Sequence, residues 1–134
     1  MREILFRGKC VEVGIYHKRW LEGFYGEDDG KALIVHNTDI GMVGYFCDSD
    51  TIGRYTGLKD RSGTRIFEGD CFKTYCTGLP VYIHIVRYYP EHFAFMARCI
   101  ERNTVHYLSD YSPSVIEVIG NIHDNPELLE RRKK

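Results

Sequence analysis

The run Ile52-Gly-Arg-Tyr-Thr-Gly-Leu-Lys-Asp-Arg-Ser-Gly-Thr-Arg-Ile-Phe-Glu-Gly-Asp70 sets four glycines and three acidic residues around two short apolar-aromatic stretches. That composition predicts β-strands joined by two tight turns. Asp60-Arg61-Ser62-Gly63 suits a type I turn, with the Asp60 side chain accepting backbone hydrogen bonds and Gly63 taking the left-handed position. Glu68-Gly69-Asp70 gives a second reversal ahead of a strand that opens at Cys71. Gly53, Gly57 and Gly120 are expected in the same structural class, at turns, bulges or close backbone approaches.

The remaining pattern is also one of short strands. Ile4 to Phe6 begins a strand, and Gly8 permits a bend before Lys9 to Val13. Trp20 to Tyr25 and Ala32 to Val35 are separated by Gly26-Glu-Asp-Asp-Gly30, in which Asp-Gly is a strong hairpin signal. Asn37 to Asp50 reads as a loop connecting two lobes, with only a brief Tyr45-Phe46 run. Further on, Cys71 to Cys76 alternates, 77–80 turns, and Val81 to Tyr89 alternates again. There Val81, Ile83 and Ile85 fall on one face and Tyr82, His84, Val86 and Tyr88 on the other. Pro90-Glu91-His92 breaks that strand. Phe93, Phe95, Ala97 and Cys99 share a face of the next, Thr104 to Leu108 follows a turn, and Ile116 to Ile122 closes the set. Five short strands at these intervals predict a small closed barrel, since an open sheet exposes two edges. Asp124, Asn125 and Pro126 form a helix start, and Leu128 and Leu129 would dock that helix on the barrel.

Chemistry-bearing motifs are sparse. The six histidines form no HxxxH or HExxH pair, and the five cysteines form no CxxC. Cys71 and Cys76 would point to opposite faces of one regular strand, so a shared metal is not expected. A Cys–His dyad across strands has no local signature, and Gly-x-Ser-x-Gly is absent. Asp48-Ser49-Asp50 has a DxD form but reads better as a turn cap. None of the 13 glycines falls in a phosphate-cradling motif. The reading is therefore of a chain without cofactor, metal or catalytic constellation.

Aromatic residues make up 13% of the chain and are the better functional lead. Tyr82, Tyr88, Tyr89 and Tyr107 fall near Arg87, Arg98 and Arg102, a combination suited to protein interfaces or to stacking on single-stranded bases. The formal net charge of −1 argues against the broad basic face of a nucleic-acid binder. Arg131 to Lys134 adds a charged tail that discriminates nothing by itself.

The same residues carry a resemblance. The 52–70 run resembles the YopX family text "IGQYTGLKDKNGKEIYEGD". Arg2-Glu-Ile-Leu-Phe-Arg-Gly8 resembles its "REIKFRG" and Trp20-Leu-Glu-Gly-Phe24 its "WVYGY". Glu117-Val-Ile-Gly-Asn-Ile-His-Asp-Asn-Pro-Glu-Leu-Leu129 resembles its "EVIGNIYENPELL". The matches run in order along nearly the whole chain. Two places depart from the pattern: Cys71-Phe72-Lys73 stands where a more aliphatic strand is usual, and Thr38 to Cys47 has no counterpart. The resemblance implies a phage or prophage protein built on an SH3-like barrel, and it carries no assigned chemistry.

The expectation is thus a mostly β protein: an N-terminal β-hairpin lobe and connecting loop over 1–50, an SH3-like small β-barrel over 51–123, and a short C-terminal helix with a basic tail over 124–134. At 134 residues such a chain can bury a core. The run after Met1-Arg2-Glu3 is too short for a secretion signal, no apolar run reaches the roughly 20 residues of a membrane span, and the odd cysteine set predicts free thiols, all of which suit the bacterial cytoplasm. The expected role is a non-enzymatic accessory module that binds another protein or a second copy. Nucleic-acid binding through the Tyr/Arg face comes second, and a cysteine- or metal-dependent enzyme third.

Overall fold

The computed structural model describes residues 4–75, 78 and 80–133, with backbone alone at 131–133. The reversal expected at 77–80 therefore lies largely outside the described residues, as do Cys76 and the side chains of the basic tail. The chain divides into two compact units, Met1–Tyr55 and Thr56–Lys134. It is mostly β, and its strands pair antiparallel throughout.

In the first unit, β1 (Phe6–Lys9), β2 (Trp20–Asp28), β3 (Lys31–Thr38) and β4 (Gly41–Phe46) pair in sequence order, and β5 (Gly53–Lys59) pairs with the free side of β1. The Asp-Gly signal holds. Asp28 pairs with Lys31, and Asp29 and Gly30 both have positive φ, 52° and 75°, as a two-residue hairpin turn matched to strand twist requires. Two expectations need correction. Gly8 does not bend the chain; it lies inside β1, where an added Cβ would come within 3.0 Å of the Cβ of Cys47. The 37–50 segment is no loop, because β4 pairs with β3 from Leu33↔Phe46 to Thr38↔Gly41. Its glycines hid the strand from a propensity reading, yet Gly44 leaves room there for the side chains of Leu33 and Val35. The core is Cys10, Leu21, Ile34 and Cys47, with Phe6, Tyr45 and Ile52 against it.

Asp48, just after β4, acts as a turn cap. Asp48 Oδ1 accepts from the Asp50 amide at 3.0 Å and starts a single 3₁₀ turn over Ser49–Thr51. Thr51 Oγ1 then accepts the Lys9 amide at 2.9 Å, which fixes the turn to β1.

The second unit begins within β5 and continues through β6 (Arg65–Phe67), β7 (Asp70–Thr74), β8 (Ile83–Tyr89), β9 (Ala94–Cys99), β10 (Thr104–Tyr107) and β11 (Ile116–Asn121). β7 to β10 form a meander, and β11 returns beside β7 to give the order β10-β9-β8-β7-β11. Phe93 does not join the face of Phe95, Ala97 and Cys99. It ends the Pro90–His92 3₁₀ turn in a left-handed conformation and is 86% exposed.

The sheet is covered on both faces. Ile83, Ile85, Cys71 and Ile100 pack under Ile119, Ile122, Leu128 and Leu129, whereas Phe72, Val86 and Ala97 pack with Ile66, Leu108 and Ile116. This double burial explains why Ile83 to Val86 reads as a continuous buried run. Leu128 and Leu129 do dock, but the segment that carries them, Pro126–Lys133, is a 3₁₀ helix rather than an α-helix. Its start explains the tight winding: Asn125 turns its Oδ1 back to accept the Asn121 amide at 3.1 Å, and the Leu128 amide closes an i→i+3 bond to the Asn125 carbonyl.

The Asp60 turn forms as expected. Gly63 has φ +85° and donates to the Asp60 carbonyl at 3.0 Å. A side chain at that φ is strained, so Gly63→Ala is expected to cost about 1 kcal/mol in urea unfolding. Unchanged stability would mean that the turn relaxes to negative φ. In the second reversal, Asp70 is 1% exposed and its Oδ2 accepts the Phe67 amide at 2.8 Å, with Gly69 at φ +92° between them. Gly120 lies at the β7–β11 register shift, against the Asn125 side chain. Gly53 opens β5 opposite Arg7, and Gly57 lies within β5 at φ +87°.

Candidate functional site

The register of the second sheet sorts its side chains into two sets, because directly opposed residues of antiparallel strands share a face. His84 faces Cys99, Cys99 faces Thr104, and Ala97 faces His106, while Phe72 faces His84 and Ile116 faces Thr74. His84, Cys99, Thr104, His106 and Thr74 therefore lie on one face. Together with Pro80, Tyr82, Arg102 and Tyr111 they line a cavity of about 600 Å³. That volume falls within the usual span of ligand pockets, roughly 300–1,000 Å³.

The floor is aromatic. The His84 ring stacks on Phe72 at 4.8 Å with the planes 21° apart, and Tyr111 meets both rings at 5.5–5.7 Å. His84 is only 5% exposed, and its Nδ1 is a buried polar atom without a hydrogen-bond partner. Burial pulls the imidazole down to about 4; nearby Glu101 opposes this and His106 adds to it. His84 is thus neutral at pH 7. Burial likewise raises the Tyr111 phenol, with Cys99 and Asp110 adding to the effect. At the mouth, the Arg102 guanidinium lies 5.7 Å from the centre of the Tyr82 ring. Among the described residues no carboxylate lines the cavity; Glu101 instead accepts the Ile83 amide at 2.9 Å.

The expected aromatic-basic surface does not form one patch. Tyr82 and Arg102 belong to the cavity. Tyr88 lies on the same sheet face but pairs edge-on with Phe95 at 5.3 Å. Arg87, Tyr89, Arg98 and Tyr107 fall on the opposite face, where Arg98 donates to Asn103 Oδ1 at 2.9 Å and Tyr107 meets His92 edge-on at 5.9 Å. Sequence reading missed His84, Cys99, His106 and Tyr111 as a group. The available signal was a lone histidine at position 84 interrupting an otherwise apolar buried strand.

The cross-strand Cys–His pair exists as His84 and Cys99, but a neutral buried imidazole does not stabilise a neighbouring thiolate as imidazolium would. In the first unit, burial and the adjacent Cys10 push the Cys47 thiol up to about 11, which suits a packed thiol rather than a nucleophile. Cys10, Cys47, Cys71 and Cys99 are all buried. Among the described residues, no three His, Cys, Asp or Glu side chains cluster so as to hold a metal ion, and no helix is long and apolar enough to cross a membrane.

The two outer edges of the sheet differ. At β11 the outward groups are occupied: the Val118 amide donates to Asp60 Oδ2 at 3.0 Å, and the Ile116 carbonyl accepts the Arg61 amide at 2.9 Å. β10 ends the sheet on the other side, and all four of its residues are exposed. Among the described residues no strand other than β9 pairs with it.

Comparison with solved structures finds protein EF1440 from Enterococcus faecalis, 26% identical, with a TM-score of 0.58 over 97% of this chain and all of the other. No curated protein is similar to the chain. The family model for the YopX protein matches residues 6–130, nearly the full length, so the chain belongs to the YopX family.

Proposed function

We propose that this YopX family member is a phage- or prophage-encoded, cytoplasmic accessory module that works by binding protein rather than by catalysis. The carrying observation is the contrast between the two edges of the second sheet: β11 is covered by the Asp60 turn, whereas β10 has no further partner strand among the described residues. An edge strand normally carries a protective device such as lysine, proline or a bulge. Thr104-Val-His-Tyr107 is short, which itself blunts an edge, but it has none of these and is rich in β-favouring residues. Such an edge takes an extended segment by main-chain pairing. The SH3-like barrel implied by the resemblance draws support from the strand order, a four-strand meander β7 to β10 with β11 returning beside β7, although this sheet keeps two edges where full closure was expected.

The test is affinity capture from prophage-carrying cells with and without nuclease, using wild-type protein and a Val105→Pro variant. A nuclease-resistant protein partner lost with Val105→Pro is expected. A partner retained equally by the variant would remove β10 from the reading.

A second reading, nucleic-acid binding, draws on the shared face of Arg87, Tyr89, Arg98 and Tyr107. With a net charge of −1, such binding is expected to be no tighter than roughly 10⁻⁴ M at physiological salt, as for non-specific contacts. Sub-micromolar binding of a single-stranded oligonucleotide, lost in Tyr89→Ala, would place this reading first.

A further inference from the structure

We infer that the cavity beside β10 is a specificity pocket for an extended segment of a protein partner, taking an aromatic side chain with a carboxylate two residues away. This rests on the proposed pairing at β10 and adds which segment is chosen. A strand added to β10 would lie about 4.8 Å from it, and every second side chain would share the face of Thr104 and His106. Those two residues are part of the cavity lining. A ring projecting from the added strand therefore reaches over them towards Cys99 and His84.

The lining selects the occupant. Phe72, His84 and Tyr111 form stacked and edge-on ring contacts at the floor, a geometry that a further planar ring extends. Among the described lining residues Arg102 carries a fixed positive charge and none is a carboxylate, so an anionic neighbour is favoured over a cationic one. Arg102 is exposed in the turn just before β10 and already lies near a ring, which suits it to meet a carboxylate on the added strand. A second copy of this chain fits less well. Its own β10, Thr-Val-His-Tyr, supplies a ring but no acid.

The experiment is selection of a random dodecapeptide library on the full chain, followed by calorimetric titration of the leading peptide. Enriched peptides are expected to carry Phe, Tyr or Trp with Asp or Glu two positions away. Changing the aromatic residue to Ala, or using the Arg102→Glu protein, should each weaken binding by about tenfold or more. Thr104→Trp, which covers the cavity from its rim, should abolish the aromatic preference. In ¹⁵N-labelled wild-type protein, amide shifts on peptide addition should centre on 104–107 and the cavity, a readout independent of any variant. Peptides that shift 104–107 but show no aromatic or acidic preference, or are indifferent to Arg102→Glu, overturn the pocket and leave the edge reading standing. An absence of enrichment, or binding that leaves 104–107 unshifted, overturns both.

Discussion

Asp60→Ala is expected to destabilise the second unit more than any surface substitution, by about 4 kcal/mol in urea unfolding. One buried carboxylate organises two elements far apart in sequence. Its Oδ1 accepts the Ser62 and Thr64 amides at 2.9 Å each, and its Oδ2 accepts the Val118 amide at 3.0 Å. Charge-assisted bonds contribute roughly 1.5–3 kcal/mol each, and three that share one acceptor act as a unit rather than adding fully. Asp60→Asn keeps one carbonyl oxygen for the turn but puts an amide opposite Val118, so about half the loss is expected. Equal effects of Ala and Asn would mean that the β11 contact carries the whole contribution.

Burial opposes ionisation of Asp60, but the amides of Val118, Thr64 and Ser62, with the Thr64 hydroxyl, outweigh it and hold the carboxyl below its ordinary value. A depressed carboxyl contributes stability that is present above the unfolded value, about 3.9, and lost as pH falls through the folded value. The acid limb of stability should therefore be shallower in Asp60→Ala than in the wild type.

The second large effect is a loss of stability on mild acidification, traced to His84. Its folded value is about 4, against an ordinary value of 6.5. Between those values the unfolded chain binds a proton that the native state refuses, so stability falls as pH drops from about 6.5 to about 4. At 1.36 kcal/mol per unit, the loss across that window is on the order of 3 kcal/mol. Unfolding midpoints measured from pH 7 to pH 4 should fall steeply in the wild type and less so in His84→Gln. Titration of His84 by NMR should show no inflection near 6.5; one there would refute the buried, neutral imidazole.

Local chemistry made several turns legible without any tertiary information. Asp29-Gly30, Asp60 to Gly63 and Glu68 to Asp70 specify their conformations within four residues, since a side-chain acceptor and a glycine free to take positive φ are enough. Pro126 likewise marks the start of a helical segment, although the winding it adopts depends on Asn125 bonding back to Asn121. Gly44 misled because a glycine in a strand loses propensity locally and regains stability only from the neighbours that pack over it, here Val35 and Leu33.

By itself, the sequence determined the β character of the chain, its turns and its kinship, because each is written in contiguous residues. Only the tertiary structure decided the cavity and the two unequal edges. His84, Cys99 and His106 meet through the register of β8, β9 and β10, which depends on long-range pairing and is invisible in any one segment. The same holds for Asp60, whose cover over β11 spans 58 residues. Strand register also separated Arg87, Tyr89, Arg98 and Tyr107 from Tyr82, Tyr88 and Arg102, because side chains alternate faces and a shift of one position moves a residue to the other side of the sheet.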